Sequence, residues 1–560
     1  MEASFKKSYA SLGADRLVLL WLGVWWIANL VQAGFTELAN DEAYYHMFAE
    51  RLAWGYFDHP PVTALLVWAG ERLFGGELGV RFFFTVLQPL YLWILWRLIR
   101  PADAGRRDAA LFVVVSAATL MLQLYGFIAV PDGPLMFTTA LFLLTFKWFS
   151  ENRRRAWLWM AYSKYHGALV VLFALAANPR QLLRPALYSS GAVALLLLVP
   201  HLVWQYEHDW ASFAYHLSGR NSVFRPGYVV EFLANVLVVF NPFFVPLYVQ
   251  AWRKVKPQTP VGRALKLLPV AFIVFFMLSS LRGYVQPQWV IVSCFGLVCV
   301  LFAYARRHPR TRRYVMRAGG VTVGLIVLVR LVMIFNPLGI RFEVFNNPES
   351  YAAIAAEADG RPVVFRYGYA VAAKYAFYTG GEACCQPNIR YRTHQWQFRD
   401  DDSQFIGREV LVECPDGTVS DSTRQVRTLT MANGRSFTWF VDPAFHPVRL
   451  VDIAFTGLPG RVAAGETLRL ELRIRNPYPY AIRVGAGDTQ LWKHGRFRVD
   501  EFPTGETFTI PADSELTRGV TFTVLPQLAG ETFDVGFALR REGYTNWFNG
   551  KSVPTEVGNL

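Results

Sequence analysis

Carboxylates and cationic side chains recur in the polar segments that separate the apolar runs of this chain. Asp41 and Glu42 lie in the first of these segments, followed by Asp58 and His59. A hydroxyl group is a poor nucleophile, so a reaction at a hydroxyl needs a base such as Asp41 close to the attacking oxygen. A leaving phosphate needs positive charge or hydrogen-bond donors, and the forked guanidinium of arginine supplies both. These residue types could therefore activate a hydroxyl and stabilise a departing phosphate.

Further side chains in the same kind of segment could contact such a substrate. With Asp41 and Glu42 as the catalytic pair, the candidates for the donor phosphate or substrate are Asp58, His59, Asp132, Lys164, Tyr165, Arg220, Arg282 and Trp289. Structural alternatives remain open, because an acid at a helix terminus is often only a cap and Lys164 could extend to the membrane interface. Ionisable groups at membrane depth are nevertheless costly and tend to be functional.

The segment that carries the catalytic pair predicts one short element. Residues 41–53 have the pattern of an amphipathic helix, which Asn40 or Asp41 could cap. Acids in the first turn suit the positive end of a helix dipole. The second acid–histidine pair then stands beside the Pro60-Pro61 break.

Composition places these segments in a membrane protein. Of the 560 residues, 53% are hydrophobic, and the mean hydropathy is +0.23. Soluble domains seldom have so much apolar content. The apolar residues form long runs up to about residue 335 and alternate with polar residues beyond it. The net charge of +14 fits the basic cytoplasmic loops of a membrane protein, and no basic face indicates nucleic-acid binding.

Nine apolar runs are candidates for membrane spans, each needing about 20 residues. They are 16–34, 82–99, 109–129, 133–149, 184–204, 228–250, 264–281, 286–304 and 315–335. The first run lacks a small-residue cleavage site, so we interpret it as an anchor. All basic clusters fall on one side only if 156–177 forms a short hairpin that enters and leaves on that side. The N-terminus is then cytoplasmic, and the chain after about residue 336 lies outside.

Five motifs resemble, in order and spacing, those of bacterial relatives of the dolichyl-phosphate-mannose protein mannosyltransferases, a group that includes the aminoarabinose transferases of lipid A. The resemblance covers roughly residues 15–400. Its motifs are Asp41-Glu42-Ala43-Tyr44-Tyr45, Gly55-Tyr56-Phe57-Asp58-His59-Pro60-Pro61, Pro131-Asp132-Gly133-Pro134-Leu135, Ser163-Lys164-Tyr165 and Gln286-Pro287-Gln288-Trp289. The segment His201–Gly219 resembles the family's outer loop, and Tyr375-Ala376-Phe377-Tyr378 its soluble tail.

The resemblance implies a polytopic α-helical membrane protein of the C-type glycosyltransferase fold. It also implies an undecaprenyl-phosphate sugar donor, inversion at the anomeric carbon and a hydroxyl acceptor in the envelope. Asp41 matches the family's catalytic base, and Asp58 matches its second acid. His59 stands where several relatives have lysine, so its charge at neutral pH is only partial. The implied location is the bacterial inner membrane, with the C-terminal domains on the periplasmic side.

The family resemblance also bears on metal use. Asp41, Asp58 and Asp132 could form a weak divalent site for Mg or Mn, because carboxylate oxygens are the ligands these ions prefer. The protein mannosyltransferases are thought to work without a metal. We therefore predict no metal and no firm cofactor, with the donor, membrane lipids and an acceptor glycolipid, polysaccharide or protein as partners.

The tail beyond the membrane domain of 1–335 predicts two further domains. Residues 336–438 have the pattern of a small α/β domain, with strands at Pro362–Tyr367 and Glu409–Glu413 around a helix at Tyr369–Tyr378. Residues 439–560 have the alternation of an antiparallel, immunoglobulin-like β-sandwich. Its predicted strands are Leu468–Ile474, Arg496–Val499, Val520–Val524 and Phe533–Leu539. We hypothesise that the sandwich binds acceptor glycan or a partner, with a structural cap as the alternative.

Two other questions stay open in the sequence. Cys384 or Cys385 could form a disulfide with Cys414 if the tail is outside the cell membrane. The chain could also be a transporter or flippase of a lipid-linked substrate, or a non-catalytic envelope scaffold. A transporter should show internal repeats and charges at mid-membrane, and neither is evident.

Overall fold

The protein divides into two compact units, Met1–Phe345 and Asn346–Leu560. The computed structural model describes residues 2–151, 164–216, 224–366, 368–389, 392–415, 424–485, 489–494 and 501–558. Arg220, Ser163, the predicted strand Arg496–Val499 and most of the predicted hairpin at 156–177 therefore lie outside the described residues.

The described part of the first unit is helical. Its α-helices are α1 (Glu2–Phe35), α2 (Asn40–Glu50), α3 (Val62–Glu71), α4 (Gly76–Ile99), α5 (Arg106–Ala117), α6 (Leu120–Leu124), α7 (Asp132–Ser150), α8 (Gly167–Ala176), α9 (Pro185–Glu207), α10 (Ala211–Ala214), α11 (Pro226–Val239), α12 (Val245–Lys254), α13 (Pro260–Ser280), α14 (Ser293–Arg307) and α15 (Pro309–Phe335). Among the described residues, five helices are long and apolar enough to cross a membrane: α4, α9, α13, α15 and Leu12–Phe35 of α1. The nine apolar runs and the segment 156–177 predict about ten to twelve membrane helices in residues 1–335, and this number stays a prediction.

Two apolar runs predicted as single spans, 109–129 and 228–250, are each broken. The first breaks after Ala117, between α5 and α6, and the second at Asn241, between α11 and α12. Asn241 has a φ of 70°, and the following proline has no N–H to donate. The Asn241 amide donates to the Ala118 carbonyl at 3.1 Å. The second break thus satisfies a backbone group of the first, which would be costly to leave unpaired in an apolar region.

Aromatic side chains pack the helices of the first unit together. Trp96 of α4 lies 5.2 Å from Phe112 of α5 and 6.1 Å from Phe302 of α14, between ring centroids. Its indole N–H donates to Asp15 of α1 at 2.7 Å. Helix α14 approaches α13 closely at Gly296, where an added Cβ would lie 2.1 Å from the Leu265 carbonyl oxygen. The apolar side chains left exposed lie mainly on helices that face lipid in a membrane.

The second unit begins with an α/β sheet flanked by helices α16 (Asn347–Ala358) and α17 (Tyr369–Thr379). Its strands are β1 (Val363–Phe365), β2 (Ala383–Cys385), β3 (Val410–Glu413), β4 (Arg427–Thr430) and β5 (Ser436–Asp442), in the order β2-β1-β3-β5-β4. β1 is parallel to β2 and β3, and β5 is antiparallel to β3 and β4. The predicted strands and helix of this region are confirmed.

The proposed disulfide to Cys414 is wrong, because all five thiols are free. Strand β1 lies between β2, which carries Cys384 and Cys385, and β3, which Cys414 follows. Neighbouring strands are about 4.8 Å apart, so the two cysteine positions are separated by roughly twice that distance. A disulfide requires Cα atoms within about 7 Å.

The remaining strands form a β-sandwich. They are β6 (Asp452–Thr456), β7 (Arg461–Ala463), β8 (Thr467–Asn476), β9 (Ile482–Val484), β10 (Thr489–His494), β11 (Phe502–Pro503), β12 (Phe508–Ile510), β13 (Ser514–Thr523), β14 (Thr532–Arg541) and β15 (Val553–Gly558). One sheet has the order β13-β8-β6 and another β11-β10-β14-β15-β7, with β12 and β9 as a separate pair. Apolar side chains of both larger sheets share one core, which includes Leu470 of β8 and Val535 of β14. The described strand pairs of the sandwich are antiparallel, as predicted, except that β15 and β7 are parallel.

Candidate active site

Helix α2 places the predicted catalytic pair in its first turn. The helix begins at Asn40, with Ala39 as the N-cap residue, so the prediction that Asn40 or Asp41 caps it is wrong. Glu42 reaches back instead, and its carboxylate accepts the Ala39 N–H at 2.9 Å. This contact fixes the start of the helix and leaves Asp41 partly exposed beside it.

Glu42 forms a buried ion pair with Arg81 of α4. Arg81 Nε and Nη2 donate to the two carboxylate oxygens at 2.6 and 2.5 Å, and both side chains are 1% exposed. The Ala129 N–H also donates to Glu42, at 2.8 Å. Arg81 further donates to the carbonyls of Ala33 (3.0 Å), Thr36 and Glu37 (3.0 Å). A buried ion pair is tolerated only when its remaining groups are bonded in this way.

The contacts of Glu42 differ from those expected of a base. The Glu42 oxygens accept hydrogen bonds from Arg81 and from two backbone N–H groups. Glu42 therefore connects α2, α4 and the segment before α7. Sequence reasoning missed Arg81, which stands directly before the apolar run 82–99. An isolated arginine at the start of a membrane helix was the available signal, because it needs a partner there.

Asp132 and Lys164 form a second ion pair near Asp41. Lys164 Nζ donates to the two Asp132 oxygens at 2.8 and 3.0 Å, and the side chains are 8% and 4% exposed. Lys164 is therefore held inside the protein, and the alternative that it extends to the interface is wrong. Asp41 is close enough to Asp132 and Tyr125 to interact with both electrostatically. Three predicted site residues are thus brought together.

The loop after α2 places Asp58 and His59 beside the same region. Asp58 is buried, its carbonyl accepts from His216 Nε2 at 3.3 Å, and its charge acts on the Tyr165 hydroxyl. The His59 ring packs edge-on against Tyr45 of α2, 5.5 Å between centroids. Tyr165, directly after Lys164, links this loop to the second ion pair.

A buried polar network surrounds Tyr165. Its hydroxyl lies 2.9 Å from His201 Nε2, and His201 Nδ1 lies 2.9 Å from the Trp54 carbonyl. Gln205 Nε2 donates to Ser212 Oγ at 2.7 Å, and Ser212 Oγ donates to the carbonyl of Tyr56 at 3.1 Å. The network joins the loop between α2 and α3 to α9 and to the segment after α9. Apart from Tyr165, its members were not among the predicted site residues.

Gly55 explains how closely these segments approach. A Cβ atom there would lie 2.6 Å from the Trp204 ring and 2.9 Å from His201 Nδ1. The glycine in the second motif is therefore needed for the contact with α9. In the sequence, Gly55 was therefore the signal that another segment of the chain packs closely against this loop.

The remaining predicted residues are divided between the site and its surroundings. The Trp289 ring lies 5.6 Å from His166, which follows Tyr165, and its indole N–H donates to Gln286 at 3.1 Å. Arg282 is exposed, and it makes no side-chain hydrogen bond or ion pair with the part of the chain that the structure describes. Arg220 lies outside that part. The structure thus brings Trp289, but not Arg282, to the site.

The structure gives no support to a divalent site. Among the described residues, no three histidine, cysteine, aspartate or glutamate side chains lie close enough together to hold a metal ion. Asp41, Asp58 and Asp132 therefore do not converge as such a group, and both oxygens of Asp132 are bonded to Lys164.

Comparisons with known proteins find a family model and solved structures that are similar to parts of this chain. The model of the family described as dolichyl-phosphate-mannose-protein mannosyltransferase matches residues 58–204, which hold the loop of Asp58, the Asp132–Lys164 pair and His201. A search of curated sequences finds no match.

Two solved structures share the fold. They are crystal structures of ArnT from Cupriavidus metallidurans, in the apo state (15% identity, TM-score 0.54) and bound to undecaprenyl phosphate (17%, 0.55). Each likeness covers 76% of this chain and 97% of the other. The matches confirm the resemblance seen in the motifs, together with a polytopic α-helical membrane fold that ends in a β-rich region.

Proposed function

We propose that this protein is a membrane glycosyltransferase that moves a sugar from a polyprenyl-phosphate donor to a hydroxyl of an envelope acceptor. The observation that carries the proposal is the grouping of Asp41, in the first turn of α2, with the pair formed by Asp132 at the start of α7 and Lys164 before α8. The related ArnT structure described as bound to undecaprenyl phosphate supports a donor of the same kind. We place the reaction on the periplasmic side of the bacterial inner membrane, where the predicted topology puts these segments.

Asp41 is the general base of the proposed reaction. It takes the proton of the acceptor hydroxyl while the oxygen forms a bond to the anomeric carbon. The bond from that carbon to the phosphate oxygen breaks, its electron pair stays on the phosphate, and the configuration inverts. Glu42 cannot serve in the same way while Arg81 and two N–H groups occupy its oxygens, so we assign it to positioning Asp41.

The departing polyprenyl phosphate gains negative charge, which nearby cations stabilise. Lys164 and His59 are the described candidates, and Asp132 orients Lys164. Asp58, Tyr165 and Trp289 form further parts of the donor site, and Arg220 and Arg282 stay candidates for the phosphate. The proposal includes no metal. The sugar is not specified, and the acceptor is a glycolipid such as lipid A, a polysaccharide or a protein.

The test compares purified wild type with Asp41→Asn in detergent, using radiolabelled polyprenyl-phosphate sugars. We expect the wild type to release polyprenyl phosphate, and the variant to be slower by about 100-fold or more, as for loss of a general base. Glu50→Gln is the matched control, because it removes a carboxylate from the last turn of the same helix. Equal turnover by Asp41→Asn would exclude Asp41 as the base. No turnover of any donor by folded wild type would exclude the proposed function.

A further inference from the structure

Arg330 of α15 is a charged residue inside an apolar membrane helix. It is 8% exposed, and among the described residues it makes no ion pair with a carboxylate. A guanidinium at such a position is costly and must be bound by other groups. The groups that bind it belong to two other parts of the helical unit.

The contacts of Arg330 are hydrogen bonds to neutral groups and contacts with aromatic rings. Nη2 donates to Asn29 Oδ1 of α1 at 2.7 Å and to the Gln123 carbonyl at 3.0 Å. The guanidinium carbon lies 5.1 Å from the ring centroids of Trp25 and Phe127. Nη1 is buried and has no hydrogen-bond partner among the described residues. The charge of Arg330 therefore acts mainly on Phe127, Trp25 and the backbone at Gln123.

Phe127 lies in the segment that leads to the Asp132–Lys164 pair, and a second guanidinium is close to it. Arg81 is 5.9 Å from its ring centroid, while Glu42, the ion-pair partner of Arg81, accepts the Ala129 N–H at 2.8 Å. Asn29, which Arg330 contacts, also donates to the Gly126 carbonyl at 3.1 Å. Residues 123–129 are thus held by α1, α4 and α15 together.

We propose that Arg330 is a positioning residue that fixes residues 123–129, and through them Asp132, relative to Asp41. It acts through Phe127 and Gln123 and touches neither substrate nor the reacting atoms. The spacing of Asp132 from Asp41 sets the repulsion between them and the place of Lys164 at the leaving phosphate. This inference rests on the proposed function only for its effect on catalysis, because the positioning itself is measurable without turnover.

The direct test is hydrogen–deuterium exchange of the full-length protein in detergent. Arg330→Leu should raise exchange of the amides in residues 123–131, while α13 keeps the protection of the wild type. Thr322→Val on the same helix is the control, since Thr322 bonds to Asn241 and not to this segment. Unchanged exchange at 123–131 in Arg330→Leu, or the same rise in Thr322→Val, would overturn the proposal.

The kinetic test separates positioning from simple loss of stability. Arg330→Leu should lower kcat on the order of 100-fold, as for a small displacement of catalytic groups, and leave the donor KM nearly unchanged. Arg330→Lys should recover part of kcat, because it keeps the charge but cannot bind Asn29 and Gln123 with one fork. Phe127→Leu should lower kcat, and the double variant should lose no more than the worse single one.

If the losses of kcat in Arg330→Leu and Phe127→Leu are fully additive in the double variant, Arg330 does not act through Phe127. A wild-type kcat in Arg330→Leu would overturn its role in catalysis. If wild type transfers sugar from no donor, the proposed function fails, and the exchange experiment alone decides whether Arg330 holds the segment.

Discussion

The neighbouring carboxylates in the first turn of α2 have different surroundings. Asp41 and Glu42 are adjacent in sequence, yet Asp41 is partly exposed and Glu42 is enclosed by Arg81, Ala39 and Ala129. The residue types predicted an acid pair that could do chemistry, but they could not divide the roles. That division depends on a partner in α4, which no local pattern reveals.

The Asp132–Lys164 pair gives a prediction at the scale of single side chains. Lys164→Met leaves the Asp132 carboxylate buried without its cation, so we expect the free energy of unfolding to fall by about 3 kcal/mol. Adding Asp132→Asn removes the uncompensated charge and should restore most of that stability, but not transferase activity. Unfolding in mixed detergent micelles measures the stability. If the double variant is no more stable than Lys164→Met, the Lys164 cation does not offset the cost of burying the Asp132 carboxylate in the way described.

At the scale of elements, the sequence predicted most of the described helices but only a minority of the described strands, and it did not show where two apolar runs break. The apolar runs 109–129 and 228–250 give one continuous hydropathy signal each, whereas the structure breaks both where Asn241 meets Ala118. Hydropathy measures length and apolar content, and a hydrogen bond between distant segments leaves no trace in it. A strand with a clear alternation, such as β8, was predicted, because the alternation directly reports which residues are buried.

Helix packing in the first unit gives a prediction at the same scale. Gly296→Ala would place a Cβ 2.1 Å from the Leu265 carbonyl oxygen and 2.4 Å from Pro269 Cγ. Because backbone must move to admit it, we expect a loss of about 1–3 kcal/mol.

Gly320→Ala in α15 is the matched control, since its Cβ would meet no atom within 4 Å. It should leave the stability unchanged or raise it slightly, because alanine favours the helix. Thermal unfolding of both variants in one detergent measures the difference. Equal midpoints would show that α13 and α14 are not packed as closely as described.

At the scale of the whole molecule, the second unit is a single body rather than two independent domains. Asp442, the last residue of β5, accepts hydrogen bonds from Tyr544 and from Arg541 (2.9 Å) at the far end of the sandwich. Arg449 likewise bonds to Asp402, at 2.6 Å for Nη2. The division into 336–438 and 439–560 stays a proposal, and a deletion that begins at residue 440 would cut β5. Full activity after such a deletion would still exclude acceptor binding by the sandwich, whereas loss of activity would not establish it.

Acid should weaken the second unit through one buried histidine. Burial, with the Arg392 charge as a smaller cause, lowers the pKa of His394 from 6.5 to about 3. Below pH 6.5 the unfolded chain therefore binds a proton at His394, whereas the folded chain does not. The contribution of His394 to the free energy of unfolding is thus complete above that pH and is lost as the pH falls. Between pH 7.5 and 5.5 the loss is about 1.4 kcal/mol.

Urea unfolding of the full-length protein at the two pH values measures this loss, followed by tryptophan fluorescence. His394→Gln should reduce the pH dependence by that amount, since glutamine does not titrate. An identical pH dependence in the variant and the wild type would assign the acid sensitivity to other groups.

The parallel pairing of β7 with β15 has a consequence for biogenesis. A ribosome makes β7 well before β15, and among the described strands β7 pairs only with β15. Until residues 553–558 emerge, β7 and the first half of β14 both present open strand edges, which readily pair with other chains. A nascent chain that stalls before β15 therefore exposes two unpaired strand edges to chaperones and proteases. The sheet is therefore complete only after β15 has been made.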